Sequence, residues 1–385
     1  MSNGKEMNLI IDENIALAQK AFSNFGTVRF VDGRSLTASD VENTDALIIR
    51  SVTKVDENLI KNSKIKFVGT ATIGTDHIDL NYLQSKNIAF ADAKGCNADS
   101  VAEYVFTALL KIAAEQNISL REKTIGVVGI GNIGSRVIRL AESFGMKVLK
   151  NDPPLERNKI GKNYVSLDEV LIADIITLHV PLSFEGDDKT YHLLNEYNLK
   201  KIKSNAIIIN TSRGAVIDNA SLLDETNRRG LNLILDVWED EPLINLDLLA
   251  KTKVATAHIA GYSLEGKVNG TKMIYESLCR FCKTDPVWQL ELPPLERINL
   301  NLPDGKSNEE KLYKLFSSIY DFEKDDMSLR EISNYKLNEQ AGYFDLLRKT
   351  YPVRREFSNF TVQLSAKEKH LKAFLETFRF KVRVI

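Results

Sequence analysis

Short apolar segments alternate with amphipathic segments along the first two thirds of the chain. Three of them, at residues 7–12, 46–50 and 66–71, predict buried strands near the N-terminus. Alternation of strands with helical spacers is typical of βαβ units and of a parallel sheet. Six further strand candidates follow in a second series, at residues 124–130, 146–152, 174–180, 206–210, 232–238 and 254–258.

Two long helices are predicted from their apolar stripes and their ends. Ser100 is followed three residues later by Glu103, which matches a capping box, so the first helix is expected to start near Ser100 and to end at about Glu115. The second helix is expected over residues 264–282 and would return the chain to the first domain.

The character of the chain changes after this second helix. Residues 285–305 carry four of the nine prolines and predict a linker. Farther on, apolar and polar residues alternate at 360–364 and again at 378–384, which predicts two strands on either side of a helix. A small α+β domain is therefore expected from about residue 290.

These patterns together predict an α/β protein with two Rossmann-like, doubly wound parallel-sheet domains and a small C-terminal α+β domain. The first domain would comprise residues 1–98 and 263–285 and be flavodoxin-like. The second, a nucleotide-binding domain, would comprise residues 99–262, and the third residues 290–385.

Composition excludes several classes of function. The chain has 385 residues and a net charge of −1, so no global field attracts nucleic acid or an acidic membrane surface. No apolar run reaches the ~18 residues of a membrane-spanning helix. Three cysteines are typical of a reducing compartment, so a cytoplasmic protein is expected. Cys279 and Cys282 lie in the second long helix without another pair, and no metal site is expected.

A glycine motif carries the cofactor prediction. Gly129, Gly131 and Gly134 form G-x-G-x-x-G between a predicted strand and a predicted helix, the context in which this motif binds a dinucleotide pyrophosphate. Asp152 ends the next predicted strand, 18 residues after Gly134. A carboxylate there accepts hydrogen bonds from a ribose and repels a 2′-phosphate, which favours NAD over NADP.

Three charged residues follow three later strands in order: Arg213, Glu241 and His258. Strand ends on one edge of a parallel sheet face the same crevice, so the three side chains are expected to converge. Arg213 could hold a substrate carboxylate, and His258 could exchange the hydroxyl proton as hydride leaves a 2-hydroxy acid. Glu241 would orient the imidazole. A lone histidine is more often a core residue, and only the ordered trio after the glycine motif favours catalysis.

The motifs that carry this trio, INTSRG, DVWEDEP and TAHIAG, resemble those of the D-isomer-specific 2-hydroxyacid dehydrogenases. The resemblance covers about residues 7–285. The segments RSVTKV, GTATIGTDHID and HIAGYSLEGK narrow it to a branch that oxidises a phosphorylated four-carbon 2-hydroxy acid on a route to pyridoxal 5′-phosphate. The region after residue 290 resembles the dimerisation domain of that branch, which implies a homodimer.

The same resemblance implies residue roles. Substrate contacts would come from Ser51, Thr72 and Tyr262. Arg50 and Lys54 flank Ser51 and suit a phosphate, although Lys54 is as well explained as a solvated surface residue. Besides the glycines, the implied cofactor contacts are Asn132, Ile133, Asp152, Val180, Thr211, Ser212, Arg213, Asp236 and Gly261.

Two other functions remain open at this point. The protein could be a different dehydrogenase of the family, such as a phosphoglycerate dehydrogenase, whose substrate is one carbon shorter. It could also be an NAD-sensing binding protein on the same fold, since such a protein can keep the whole trio. The proline-rich segment and the low strand content of residues 290–350 argue mildly against the first alternative.

Overall fold

The computed structural model describes residues 6–385, which divide into two compact units. The first unit comprises the residues up to Asn97 together with 263–294. The second comprises residues 98–262 together with 295–385. The predicted division into three domains is a functional one and stays a prediction.

The first unit contains a five-stranded parallel sheet in the order β2-β1-β3-β4-β5, the flavodoxin-like order. Alternate residues of β1 and β3 enter two apolar clusters, Leu9 with Ile48 and Ile10 with Leu47, so both faces of the sheet are covered. Its strands are β1 (Met7–Asp12), β2 (Gly26–Val31), β3 (Ala46–Ile49), β4 (Phe67–Thr70) and β5 (Ala89–Asp92).

The three strands predicted in this unit are confirmed as β1, β3 and β4. The edge strands β2 and β5 were not predicted. Both are only half-buried, so neither forms the continuous apolar run that marks a central parallel strand.

The second unit contains a six-stranded parallel sheet in the order β7-β6-β8-β9-β10-β11. An isolated parallel bridge pairs Lys150 with Tyr164 beside β7, in the place of the third strand of a doubly wound sheet. All six predicted strands are confirmed. They are β6 (Thr124–Val128), β7 (Lys147–Asn151), β8 (Ile175–Leu178), β9 (Ile207–Asn210), β10 (Asn232–Leu235) and β11 (Val254–Ala255).

A smaller parallel sheet lies in the C-terminal part of the second unit. It comprises β12 (Asn299–Asn301), β13 (Thr361–Leu364) and β14 (Lys381–Val384), in chain order. The two predicted C-terminal strands are confirmed as β13 and β14, although β14 starts three residues later than expected. The prediction of a linker over residues 285–305 is wrong in part, because β12 lies inside it and pairs with β13.

Helices cover both faces of the large sheets. The α-helices are α1 (Ala18–Phe22), α2 (Ala38–Val41), α3 (Glu57–Ile60), α4 (Leu80–Ser85), α5 (Ala98–Gln116), α6 (Asn132–Phe144), α7 (Pro153–Arg157), α8 (Leu167–Leu171), α9 (Glu196–Leu199), α10 (Asn219–Arg229), α11 (Leu246–Lys251), α12 (Leu264–Cys282), α13 (Asn308–Ser317), α14 (Phe322–Arg330), α15 (Leu337–Lys349) and α16 (Lys372–Thr377). Short 3-10 helices lie at Ser23–Phe25, Leu120–Glu122, Gly214–Val216, Glu331–Asn334, Phe357–Asn359 and Ala366–Leu371. No helix within residues 6–385 is both long enough and apolar enough to cross a membrane.

The capping box predicted at Ser100 is wrong. Helix α5 begins two residues earlier, which places Ser100 inside the helix, fully buried. Its hydroxyl donates to Glu356 Oε1 at 2.8 Å, and Glu103 Oε1 accepts from the backbone N–H of Phe357 at 3.0 Å. The serine and the glutamate thus bind a segment more than 250 residues away instead of closing the helix end. The predicted return helix is confirmed as α12.

Candidate active site

The glycine motif lies between β6 and α6, as the sequence predicts. Gly129 has φ +84°, which favours glycine, and a Cβ on Gly134 would lie 2.0 Å from the carbonyl oxygen of Gly129. A Cβ on Gly131 would instead have no atom within 4 Å. Gly131 is also the N-cap of α6 and has no side-chain cap, so the first N–H groups of this helix can bind a pyrophosphate.

Asp152 lies beside this loop. It immediately follows β7, and its Oδ2 accepts a hydrogen bond from the backbone N–H of Ile130 at 2.7 Å. Its Oδ1 accepts from the N–H of Leu155 at 3.0 Å and so caps α7. An ionised carboxylate has about four acceptor positions, so two backbone contacts leave room for a ribose hydroxyl.

Other predicted cofactor contacts lie at the start of α6 and in the loops that follow strands of the same sheet. Val180 follows β8, and its Cγ1 would lie 2.8 Å from a Cβ on Gly129. Thr211 and Ser212 follow β9 and are buried. His179, which the sequence analysis did not select, approaches Thr211 Oγ1 at 3.4 Å through Nδ1, and burial lowers the pKa of this histidine to about 3. Asn132 and Ile133 open α6, and Gly261 lies in the turn after His258.

Glu241 and His258 form the central hydrogen bond of the site, between Oε1 and Nδ1. The other oxygen of Glu241 accepts from the backbone N–H of Trp238 at 3.1 Å. His258 has φ +56°, and its backbone N–H donates to the carbonyl oxygen of Asp236 at 2.7 Å. A non-glycine residue in this left-handed conformation is uncommon and is typical of functional turns.

The surroundings of Glu241 determine the charge of its carboxyl group. Burial by itself raises the pKa of Glu241, but the charge of His258 and their hydrogen bond, with help from Arg348, hold that pKa below its usual value. Glu241 is therefore ionised at neutral pH and favours a proton on Nδ1 of His258. The other ring nitrogen, Nε2, has no partner among the described residues, and the His258 side chain is 29% exposed.

Asp236 holds the turn that carries His258. Its Oδ1 accepts from the hydroxyl of Thr256 at 2.6 Å and from the N–H of Ile259 at 2.8 Å, and its Oδ2 accepts from the N–H of Ala260 at 3.0 Å. The residue is 1% exposed. The described contacts of this carboxylate are thus internal, and its predicted contact with the cofactor stays a prediction.

Arg213 lies in the loop after β9, next to the loop of Glu241. A Cβ on Gly214 would lie 1.9 Å from the backbone of Trp238, so only glycine permits this approach. Arg213 Nη1 donates to the carbonyl oxygen of Ser212 at 2.8 Å. The ends of β9, β10 and β11 thus bring the loops of all three predicted catalytic residues to one edge of the sheet.

The predicted substrate residues of the first unit follow β3 and β4. Arg50 Nε donates to Asp12 Oδ1 at 3.1 Å, Ser51 lies in an exposed turn, and the hydroxyl of Thr72 lies 2.9 Å from that of Thr70. Lys54 is 80% exposed and pairs with Asp56 at 3.0 Å. This arrangement supports the interpretation of Lys54 as a solvated surface residue.

Sequence reasoning missed the C-terminal residues that contact the turn after His258. The Tyr262 ring meets that of Tyr351 edge-on, with 5.7 Å between centroids, and the guanidinium carbon of Arg348 lies 5.9 Å from the same ring. Arg354 Nη2 donates to the carbonyl oxygen of Ala260 at 2.6 Å. No local spacing reveals these contacts, because about 90 residues separate the partners in the chain.

Two protein-family models match parts of the chain. Residues 106–260 match the family model described as "D-isomer specific 2-hydroxyacid dehydrogenase, NAD binding domain". Residues 290–376 match a second model, described as a "Domain of unknown function (DUF3410)". The prediction of an NAD-binding domain is therefore confirmed.

Curated relatives match almost the whole chain. An erythronate-4-phosphate dehydrogenase from Proteus mirabilis is 44% identical over 359 residues, which covers 92% of this chain and 94% of the relative. Another from Cronobacter sakazakii is 42% identical over 361 residues, covering 93% and 94% respectively.

Solved structures share the fold. D-lactate dehydrogenase from Aquifex aeolicus, complexed with NAD and lactic acid, aligns with a TM-score of 0.59 and 26% identity over 72% of this chain and 95% of its own. NAD-bound 3-phosphoglycerate dehydrogenase from Entamoeba histolytica aligns with a TM-score of 0.63 and 24% identity over 74% and 99%. With the sheet orders above, these matches confirm the predicted fold class.

Proposed function

The chain belongs to the erythronate-4-phosphate dehydrogenase family, and from this premise we propose that it catalyses the NAD-dependent oxidation of 4-phospho-D-erythronate. The product would be 3-hydroxy-2-oxo-4-phosphobutanoate, on a route to pyridoxal 5′-phosphate. The single observation that carries the chemistry is the hydrogen-bonded Glu241–His258 pair at the carboxyl edge of an NAD-binding sheet.

His258 acts as the general base in this proposal. Nε2 takes the proton of the substrate hydroxyl, a role typically worth about 10²–10⁴-fold in rate. Glu241 fixes the tautomer and stabilises the imidazolium that results. Arg213 binds the substrate carboxylate through its planar guanidinium. Bound NAD would supply the hydride acceptor for C2 of the substrate, held by the first turn of α6 and by Asp152.

The described residues fit this cofactor. The uncapped first turn of α6 and the open space at Gly131 suit a pyrophosphate, and Asp152 suits a ribose diol. The family resemblance supports further NAD contacts from Asn132, Ile133, Val180, Thr211, Ser212, Arg213, Asp236 and Gly261.

Arg50, Ser51, Thr72 and Tyr262 are proposed to bind the substrate. Arg50 contributes a guanidinium that is held by an ion pair with the buried Asp12. In this proposal residues 1–98 with 263–285 bind substrate, 99–262 bind NAD, and 290–385 form the dimer contact.

A homodimer through the C-terminal region is supported by its exposed apolar side chains, which include Leu337, Met327 and Val353, the last 75% exposed. Light scattering coupled to gel filtration should give twice the mass of the 43.4 kDa chain. A monomer at micromolar concentration would contradict this part of the proposal.

A cytoplasmic location is supported by three cysteines that form no disulfide.

The activity is tested by following reduced-nicotinamide absorbance with purified protein, NAD and 4-phospho-D-erythronate, beside 3-phosphoglycerate. Parallel tubes contain a 2-oxo acid acceptor and are assayed for the oxidised product, so that NADH reoxidised on the enzyme is not missed. The control is the His258→Ala variant.

Turnover with the erythronate ester that is lost in this variant is the expected result. Turnover with phosphoglycerate alone would replace the proposed substrate by the shorter one. Tight NAD binding without turnover of either compound would make the chain an NAD-sensing binding protein.

A further inference from the structure

Arg348 approaches the catalytic pair from the C-terminal region. It is the penultimate residue of α15, and its guanidinium carbon lies 5.9 Å from the centre of the Tyr262 ring. Its side chain also hydrogen-bonds Tyr262 and interacts electrostatically with the Glu241 carboxylate. One arginine thus contacts a proposed substrate residue and acts electrostatically on the carboxylate that hydrogen-bonds His258.

The surroundings of Arg348 are mostly closed to solvent. Its Nε is buried and has no hydrogen-bond partner among the described residues. Burial would lower the pKa of this guanidinium, but the nearby Tyr262, Glu241 and Asp345 raise it, so the charge is retained. A buried charge that is incompletely hydrogen-bonded is costly, and a side chain serving only to fill space would not require it.

A second arginine of the same region already anchors the backbone of this turn. Arg354 donates through Nη2 to the carbonyl oxygens of Ala260, at 2.6 Å, and of Ser100, at 3.2 Å. It is 5% exposed and lies over the Tyr320 ring at 4.4 Å. Because Arg354 holds the backbone, the contact of Arg348 with Tyr262 and its electrostatic interaction with Glu241 need a separate explanation.

We propose that Arg348 is a positioning residue of the active site, which fixes the Tyr262 ring and sets the charge environment of the Glu241–His258 pair. The inference rests on the proposed function for its kinetic consequences. It means that the C-terminal region, in addition to any role in dimer formation, completes the catalytic centre of its own chain.

The charge of Arg348 has a predictable sign of effect. The titratable and charged groups that interact with Arg348 are Tyr262, Glu241 and Asp345, the last from α15 itself. On the side of His258, Asp236 binds the turn that carries this residue, through the N–H of Ile259. A positive charge beside the pair favours loss of its proton, and His258 must be neutral to accept a proton during oxidation. Removing the charge should therefore move the acid limb of the oxidation profile to higher pH.

The test compares Arg348→Met with Lys349→Met, which removes an exposed basic residue one position farther along the chain. In Arg348→Met we expect the acid limb of kcat/KM to move upward by about 0.5–1 pH unit. We also expect KM for the erythronate ester to rise on the order of 10-fold, because Tyr262 loses a charged hydrogen-bond partner. Arg348→Lys should restore the pH profile, and Lys349→Met should match the wild type.

Three outcomes overturn the inference. A wild-type pH profile in Arg348→Met with a raised KM would mean that Arg348 contacts a substrate anion directly. A wild-type profile with unchanged KM would mean that it does neither. A shifted profile that Arg348→Lys does not restore would mean that shape, and not charge, matters. If the methionine variant does not fold, Arg348→Gln takes its place.

A second measurement separates this inference from the proposed function. The titration of the Glu241–His258 pair can be followed by NMR of the histidine ring signals without any substrate. A higher titration midpoint in Arg348→Met than in Lys349→Met supports the positioning role even if the erythronate ester is not turned over. Equal midpoints contradict it even if the wild type is active.

Discussion

The second unit contains two histidine–carboxylate pairs that draw their acids from the same short loop. Glu241 binds His258, and Glu239 binds His192, whose Nε2 lies 2.5 Å from Glu239 Oε1. Both histidines have positive φ, +56° and +50°, and their side chains are 29% and 28% exposed. The exposure of the histidine and its hydrogen bond to the glutamate therefore do not distinguish the two pairs.

The surroundings of the second ring nitrogen separate the two pairs. In His192 it faces Asp218 Oδ2 at 4.0 Å, and the Tyr191 ring stacks on the imidazole at 4.0 Å. In His258 it has no partner among the described residues and lies at the carboxyl edge of the NAD-binding sheet. A histidine–carboxylate pair becomes acid–base machinery when one ring nitrogen is left for the substrate.

The largest expected effect is the loss of activity on removing His258. His258→Ala should lower kcat by about 10²–10⁴-fold, because no other described group replaces Nε2 as the base. His192→Ala should keep kcat within about 3-fold, since this ring only joins structural elements. Steady-state NADH formation at saturating NAD checks both variants. Equal losses of activity in the two variants would mean that His258 and His192 do not differ in function.

Loss of the carboxylate charge should likewise lower activity at Glu241 and not at Glu239. Glu241→Gln keeps an acceptor for Nδ1 but loses the charge that stabilises the imidazolium, so kcat should fall by about 100-fold. Glu239→Gln is the matched control from the same loop and should stay close to the wild type. Loss of activity confined to Glu239→Gln would reverse the assignment of the two pairs.

The His192–Glu239 pair should matter for the stability of the fold and not for activity. The His192–Glu239 pair joins three segments. The backbone N–H of His192 donates to the carbonyl oxygen of Ala215, and Glu239 Oε2 accepts from the backbone N–H of Asn219. Glu239→Gln should therefore lower the free energy of unfolding by about 1 kcal/mol. Urea unfolding of the variant beside the wild type measures this cost. A variant as stable as the wild type would show that the pair has no structural role.

The smallest expected effect is on the thermal stability of the protein at acidic pH. Because the folded protein holds the pKa of Glu241 below its ordinary value, the ionised residue contributes stability above about pH 4.3. That contribution is lost as the pH falls through the folded-state pKa. The difference in Tm between wild type and Glu241→Gln should accordingly be largest at neutral pH and shrink below pH ~4. A difference that grows on acidification would contradict the lowered pKa.

Much of this site could be predicted because it depends on strand ends. The central strands β6 to β11 are apolar runs, and Asp152, Arg213, Glu241 and His258 follow them at short distances. A parallel sheet brings such residues to one edge whatever the details of packing. The edge strands β2 and β5 lack that pattern, and β12 is too short to show one.

What could not be predicted depends on contacts between distant segments. Ser100 and Glu103 have the spacing of a helix cap, yet their partners lie near Glu356. The contact of Arg348 with Tyr262 likewise leaves no trace in local spacing. Tertiary packing decides such interactions, and a periodic pattern carries no information on it.

The most direct test of the account is a single-turnover experiment with 4-phospho-D-erythronate deuterated at C2. Excess enzyme, saturated with NAD, is mixed with this substrate, and the reduced cofactor is analysed for rate of formation and for mass. We predict that deuterium enters the cofactor and that the step is slower than with the unlabelled substrate. His258→Ala should bind NAD but slow this step by about 10²–10⁴-fold. Reduced cofactor without deuterium, or an undiminished rate in His258→Ala, would contradict the central claim that the Glu241–His258 pair takes the proton while hydride leaves C2.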